Sequence, residues 1–332
     1  MREPAFWRRE AGLAAGALAP LGQIYGAVAA RRMARKGASA GLPVICVGNF
    51  TLGGAGKTPT VIMLARMLTD AGTRPFCLNR GYGGNVAGPK LVDVHTDIAA
   101  QVGDEALLIA HSAPTVVARD RVAGAALARA QGASLIIMDD GLQNPSLLKD
   151  FTLAVIDARR GVGNGHIFPA GPLRAPLTAQ LEQTDALLVV GDWVNAEPVI
   201  TQCLARGLPI FHGRLVPDPA CVASLKGRGV LAFAGIGDPD KFFATAIDAG
   251  IAVAHREAFD DHHCYTAEEA AGLIMRAEHS GLALLTTEKD HARMTGEQLL
   301  DALARRAHTL RVTMVVEEAD ELRRLVLTKL PR

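Results

Sequence analysis

The chain carries almost no net charge: 35 lysines and arginines against 34 aspartates and glutamates leave +1 over 332 residues. A general nucleic-acid binder needs a basic excess, so this balance argues against that class. Cysteine is scarce. The five present (Cys46, Cys77, Cys203, Cys221, Cys264) are odd in number and form no CxxC pair. That argues against a disulfide framework or a zinc site and fits reduced cytosolic thiols. Internal repeats and low-complexity tracts are also missing. With 49% hydrophobic and 21% charged residues, the chain can build a packed core, and wholesale disorder is not expected.

What is present is alternation. From Pro43 onward, short apolar runs at 44–47, 75–78, 115–117, 135–138, 153–156 and 186–190 are separated by helical stretches such as 60–71 and 121–130. In the first of these helices Val61, Ile62, Leu64, Ala65 and Leu68 share one face, and Gly72 stops it. Near-continuous apolar strands between helices predict a parallel sheet covered on both faces. Val216-Pro217-Asp218-Pro219 reads as a linker, followed by a second block with strands near 230–234, 283–286 and 311–316. The expected parts are an N-terminal helix over 1–36, an α/β domain over 37–213, a linker over 214–226 and a smaller C-terminal α/β domain over 227–332.

The most specific motif is Gly53-Gly54-Ala55-Gly56-Lys57-Thr58, directly after one predicted strand and before one predicted helix. That context is what a P-loop requires, and it makes the larger domain P-loop NTPase-like. The glycines let backbone N–H groups turn toward phosphate oxygens, and the helix N-terminus adds a favourable partial charge. Thr51, Leu52 and the six motif residues are the expected nucleotide contacts. Lys57 would reach the β- and γ-phosphates and the Thr58 hydroxyl would bind Mg²⁺. The first glycine of the usual spelling falls at Thr51, and Gly53 and Gly54 stand in for it. A second element agrees: the apolar run 135–138 ends in Asp139-Asp140, which would place a carboxylate beside the metal. The [NT]KxD signature of a GTPase is missing; Thr287-Glu288-Lys289-Asp290 has its lysine one place late, so ATP is the expected nucleotide.

The first 36 residues are of a different kind. Residues 11–30 carry no formal charge, with Arg8, Arg9 and Glu10 before them and Arg31, Arg32, Arg35 and Lys36 after them. Leu18, Leu21, Tyr25 and Val28 recur at helical spacing. A spanning helix has the required length, but the segment is mostly Ala and Gly with Pro20 and Gln23 inside. A cleaved signal peptide fits poorly before a nucleotide site, since ATP is cytosolic. A helix lying in the membrane interface, with Trp7 and the arginines at headgroup depth, is the favoured reading. Its bland counterpart is a helix that merely packs on its own domain.

Taken in order, the local runs resemble one family, the tetraacyldisaccharide 4'-kinases. They are Val47-Gly48-Asn49 leading into the loop and Pro59, Arg80-Gly81-Tyr82-Gly83-Gly84, Gly103-Asp104-Glu105 and Asp139-Asp140-Gly141-Leu142-Gln143. Pro169-Ala170-Gly171-Pro172-Leu173-Arg174, Phe233-Ala234-Gly235-Ile236-Gly237, Phe259-Asp260-Asp261-His262-His263 and Thr287-Glu288-Lys289-Asp290 complete the series. Thr51 is normal in this family. Asn144 is a local departure, standing where the family usually has His.

The resemblance implies transfer of the ATP γ-phosphate to the 4'-hydroxyl of a tetraacylated glucosamine disaccharide 1-phosphate, a precursor of lipid A. It also implies that Asp104 and His262 act together on that hydroxyl, the carboxylate nearest it and the imidazole supporting, and a carboxylate–imidazole pair suits proton acceptance. Arg80, Tyr82, Gln143 and Arg174 are the candidates for substrate contact, the arginines because guanidinium matches phosphate geometry. Removing acyl chains from lipid costs about 0.8 kcal/mol per CH₂, so the enzyme must go to the bilayer. The expected location is the cytoplasmic face of the inner membrane, peripheral or monotopic. Two other functions compete: a P-loop kinase with a small soluble or other lipid substrate, and a nucleotide-switched assembly protein. The first would not need the N-terminal helix and the second would not need an acceptor base.

Overall fold

The structure, a computed structural model, describes residues 3–9, 12–192 and 195–330. Glu10 and Ala11 of the N-terminal segment, and the last two residues of the expected C-terminal domain, lie outside them. Eight strands form in the first two thirds of the chain: β1 (Val44–Gly48), β2 (Pro75–Asn79), β3 (Lys90–Leu91), β4 (Thr115–Val117), β5 (Leu135–Asp139), β6 (Phe151–Asp157), β7 (Ala186–Val190) and β8 (Ile210–Pro217). Five more follow: β9 (Gly229–Ala234), β10 (Ala252–Ala258), β11 (Ala283–Thr287), β12 (Ala307–Leu310) and β13 (Val312–Val316). The large sheet has the order β13-β8-β7-β6-β1-β5-β2-β4-β3, parallel except for the two edge strands. The small sheet, β10-β9-β11-β12, is parallel throughout.

The central strands are buried along their whole length because helices cover both faces, so their sequences are continuous rather than alternating apolar runs. The helix Lys57–Asp70 lays Val61, Leu64, Ala65 and Leu68 on the sheet, a spacing of three and four residues that makes one stripe. β1 sits in the middle, with β5 on one side and β6 on the other. The chain therefore leaves β1 where the strand order reverses, which is where open α/β sheets bind ligands beyond their strand ends.

One expected boundary is corrected. The apolar run at 311–316 suggests a strand of the second block, but β13 pairs antiparallel with β8, Met314 opposite Leu215, at the edge of the large sheet. The helix Ala319–Lys329 then buries Leu322 and Val326 in the same core as Phe151 and Leu188. The chain thus returns to the first unit. The stretch read as a linker is mostly ordered as well: β8 runs to Pro217, and Asp218 caps the helix Pro219–Ser224. Both crossings between the units lie side by side, the Asp218 N–H donating to the Arg311 carbonyl at 2.9 Å. Which strand accepts β13 is decided by distant backbone, which a local apolar run cannot report.

The N-terminal helix Leu13–Met33 is long and apolar enough to cross a membrane. One face is docked on the protein itself: Ala15, Gly22, Gly26 and Met33 are buried. An ideal Cβ on Gly22 would lie 2.7 Å from the Ile167 carbonyl oxygen, so only glycine allows this approach. The Trp7 indole donates to the Pro169 carbonyl at 3.0 Å, and Trp7 and Tyr25 both meet Phe168 edge-on. The helix is thereby fastened to the loop that carries Arg174.

This docking predicts opposite outcomes for two chemically equal changes. Gly16 has nothing within 4 Å of its ideal Cβ. Gly16→Ala should be neutral or stabilising by up to about 1 kcal/mol through helix propensity. Gly22→Ala should instead cost about 1–3 kcal/mol by overpacking and should raise protease sensitivity between the helix and β1. Equal melting temperatures for the two variants would refute the docked face.

Candidate active site

The phosphate loop is held from behind by Asn49, at the end of β1. Its amide nitrogen donates to the carbonyls of Thr51 (2.7 Å) and Gly53 (3.3 Å), and its oxygen accepts from Lys57 Nζ at 3.1 Å. Thr51 forms a short antiparallel bridge with Leu173, so the left-handed turns come later, at Gly53 (φ 97°) and Gly56 (φ 91°). Gly56 caps the helix Lys57–Asp70, leaving its first N–H groups directed at the loop's hollow.

Two acids end β5, and their surroundings differ. Asp140 has a left-handed backbone, φ 50°. Arg174 grips its carboxylate at 2.8 and 2.9 Å, and Lys57 Nζ lies 3.5 Å away. Burial pushes the Asp140 carboxyl up, but Lys57 and Arg174 outweigh it and hold it below the usual range. Asp139 is buried, with one oxygen accepting from Asn79 at 2.7 Å and the other without a partner among the described residues. Burial, with the charges of Glu105 and Asp140 adding, pushes Asp139 up to about 7.

The opposite wall comes from the second unit. Thr287 caps the helix Glu288–Arg293, whose turns present Lys289 and Arg293 toward the first unit. Lys289 Nζ meets Glu105 at 2.5 Å. The Arg293 guanidinium donates from Nε to Asp104 Oδ2 at 2.9 Å, with Nη2 closer still, and from Nη1 to the Gly235 carbonyl. Asp104 Oδ1 accepts from the Glu105 N–H. Burial opposes the Asp104 charge, but His262, Arg293 and Lys289 hold the carboxyl below its ordinary range. His262, with φ 58°, brings Nδ1 to 3.6 Å from Asp104 Oδ2, and its ring lies against Tyr82 at 4.8 Å. On the other flank Asp238 meets Arg159 and Arg160, and Lys241 meets Asp157 at 2.5 Å.

Between these walls lies a cleft of about 650 Å³, lined by Leu52 to Thr58, Asp139, Asp140, Arg80, Tyr82, Glu105, Gln143, Arg174, His262, Lys289 and, from the N-terminal helix, Arg32. All the residues expected from the sequence converge here or directly behind it. Their free valences are unequal. Arg174 is engaged with Asp140 and the Thr51 carbonyl, and the Gln143 amide nitrogen with the Asn49 carbonyl and Gln180, so both brace the loop. The order expected within the catalytic pair, carboxylate nearest the hydroxyl and imidazole supporting it, is reversed here: Asp104 is buried, and His262 is the member that lines the cleft. Asn144 uses its oxygen to cap the turn at Ser146. Sequence reading missed Arg293, Glu105, Lys289 and Asn49 as individual side chains. The available signal was helical spacing: Arg293 follows Asp290 by three residues, which puts both on one face.

Removing Arg293 tests this wall. Asp104 titrates below its ordinary value in the fold, so its contribution to stability is full above about pH 4 and is lost as pH falls through the lowered value. Arg293→Ala leaves the carboxylate buried without its main partner and should cost about 3–5 kcal/mol at pH 7. The deficit should narrow toward pH 5, because the stranded Asp104 then takes up a proton above its ordinary value. Urea unfolding at both pH values checks this; a deficit under about 1 kcal/mol, or one indifferent to pH, would contradict it.

The chain is similar to proteins of one family. A family profile described as tetraacyldisaccharide-1-P 4'-kinase (LpxK) matches residues 14–331. The tetraacyldisaccharide 4'-kinase of Rhodopseudomonas palustris strain BisB5 is 54% identical over 330 residues, covering 99% of this chain and 97% of that protein. The one from Methylobacterium sp. strain 4-46 is 58% identical over 295 residues, covering 89% of each. Among solved structures, that of LpxK from Aquifex aeolicus in complex with ATP superposes with a TM-score of 0.74 at 26% identity, covering 96% of this chain and 99% of that one. Fold, ordered motifs and relatives over the whole length therefore lead to one conclusion: the chain belongs to the tetraacyldisaccharide 4'-kinase family.

Proposed function

We propose that this protein transfers the γ-phosphate of ATP to the 4'-hydroxyl of a tetraacylated glucosamine disaccharide 1-phosphate at the cytoplasmic face of the inner membrane. The observation that carries the reading is one cleft with a phosphate loop on one wall and the His262–Asp104 pair on the other. A phosphoryl donor and a hydroxyl acceptor need those two walls within reach of one another.

In this reading Thr51 to Thr58 cradle the phosphates, and Lys57 neutralises charge that builds on the transferring group. The partnerless Asp139 oxygen and the Thr58 hydroxyl line the same cleft, a donor set that fits Mg²⁺. Asp140, with two cations already on it, would serve the metal less directly than Asp139. Bound there, the ion would neutralise β- and γ-phosphate charge. His262 and Asp104 accept the hydroxyl proton, the imidazole at the cleft and the carboxylate fixing its orientation from behind. Arg80 and Tyr82 stand beside them to meet the headgroup. The exposed residues Leu13, Leu21, Ile24, Tyr25 and Val28 of the N-terminal helix supply an apolar face for the bilayer interface.

The test is transfer of labelled γ-phosphate to the disaccharide lipid in mixed micelles, with the product position read by phosphorus–proton NMR. Label should appear at the 4' oxygen, and Lys57→Ala should lower kcat by about 10²–10³. Label at another position, or a Lys57→Ala enzyme with the wild-type rate, would reject the proposal.

A further inference from the structure

The outer face of the N-terminal helix leads into the cleft. Leu21, Tyr25, Val28 and Arg32 recur at i, i+4, i+7 and i+11, which sets them along one side of a helix. The first three are among the exposed large hydrophobics of the chain, while the buried Gly22, Gly26 and Met33 lie on the neighbouring side of the helix, about a third of a turn away. Arg32 continues this stripe one turn beyond Val28 and lines the cleft. At about 1.5 Å per residue the stripe from Leu21 to Arg32 is about 17 Å long. A lipid lying along this stripe would have its headgroup at Arg32.

Of the other arginines that line the cleft, Arg80 also lacks a side-chain hydrogen bond or ion pair among the described residues, but it follows β2 beside Tyr82, on the side of the cleft where His262 stands. Arg174 is bound to Asp140 and Thr51, and Arg121 donates to backbone carbonyls. The Arg32 side chain has no ion-pair or hydrogen-bond partner among the described residues. Its guanidinium is an open fork at the cleft mouth, suited to a phosphate. The acceptor has two chemically distinct ends. Its 4'-hydroxyl is on the distal sugar, and its 1-phosphate is at the far end of the proximal sugar. With the hydroxyl at His262, the phosphate must lie away from the P-loop.

We propose that Arg32 binds the 1-phosphate of the acceptor and so selects which end of the disaccharide enters the cleft. The inference rests on the kinase reading above and adds the residue that orients the acceptor. It separates the substrate's phosphate from the phosphates of bulk lipid, which share the same chemistry.

The full-length protein is assayed in neutral-detergent micelles with two acceptors, the tetraacyldisaccharide 1-phosphate and the same lipid with that phosphate removed. Charge-assisted hydrogen bonds are worth about 1.5–3 kcal/mol, so wild type should prefer the phosphorylated acceptor in kcat/KM by about 10- to 100-fold. In Arg32→Ala this preference should collapse toward one, through KM for the acceptor, with KM for ATP unchanged; Arg32→Lys should recover part of it. Sedimentation with vesicles of phosphatidylcholine, alone or mixed with phosphatidylglycerol, should be the same for wild type and Arg32→Ala. Equal losses on both acceptors would overturn the proposal. So would lost binding to the phosphatidylglycerol vesicles with acceptor preference kept, which would assign Arg32 to bulk anionic lipid. A wild type that phosphorylates neither lipid would instead overturn the kinase reading itself.

Discussion

The site depends on a guanidinium reaching across the gap between two units to a buried carboxylate. Asp104 has little solvent to stabilise its charge, and without Arg293 it would be costly to keep ionised. Arg293 can reach it because Asp290, one turn earlier, fastens the same helix to Gly235 and Tyr265. The Gly235 carbonyl, in turn, accepts both from Arg293 and from the His262 N–H. One small polar cluster therefore sets where the imidazole and the carboxylate lie relative to each other. The join is ionic on both flanks, through Lys289–Glu105 and through Asp238 with Arg159 and Arg160, with Ala292 packed on the apolar cluster around Val102.

The phosphate wall shows the same economy of polar groups. Asn49 braces three loop atoms with one amide, and Arg174 holds a loop carbonyl and Asp140 together. A left-handed non-glycine residue costs on the order of 1–3 kcal/mol, and at Asp140 the two cations offset it. That backbone conformation sets the carboxylate at the cleft beside Lys57. The loop that supplies Arg174 also receives the N-terminal helix through Ile167 and the turn before it through Pro169, so the long apolar helix and the phosphate loop share one support.

Much of this was legible in the sequence because it is local. Buried parallel strands write themselves as continuous apolar runs, and a strand–glycine-loop–helix needs its glycines and lysine in one short stretch. The resemblance added the Asp104–His262 pairing, which no local pattern contains, since the two residues come from different units. Unread were the features decided by tertiary geometry. β13 carries the same apolar signal whether it joins the small sheet or the large one. Arg293 looks like any helix-end arginine until its helix is set against Asp104. Arg174 and Gln143 have the chemistry of substrate contacts, yet the fold spends most of their donors inside the protein.

The central claim is that His262 and Asp104 work as one proton-accepting unit assembled across the two units. The most direct test is a double-mutant cycle on kcat for phosphoryl transfer to the disaccharide lipid, using Asp104→Asn, His262→Ala and the pair. Each single change should lose about 10²–10⁴ in kcat with KM for ATP unchanged. The double variant should be scarcely slower than the poorer single one. Multiplicative losses, or a raised KM for ATP with kcat preserved in Asp104→Asn, would contradict the account.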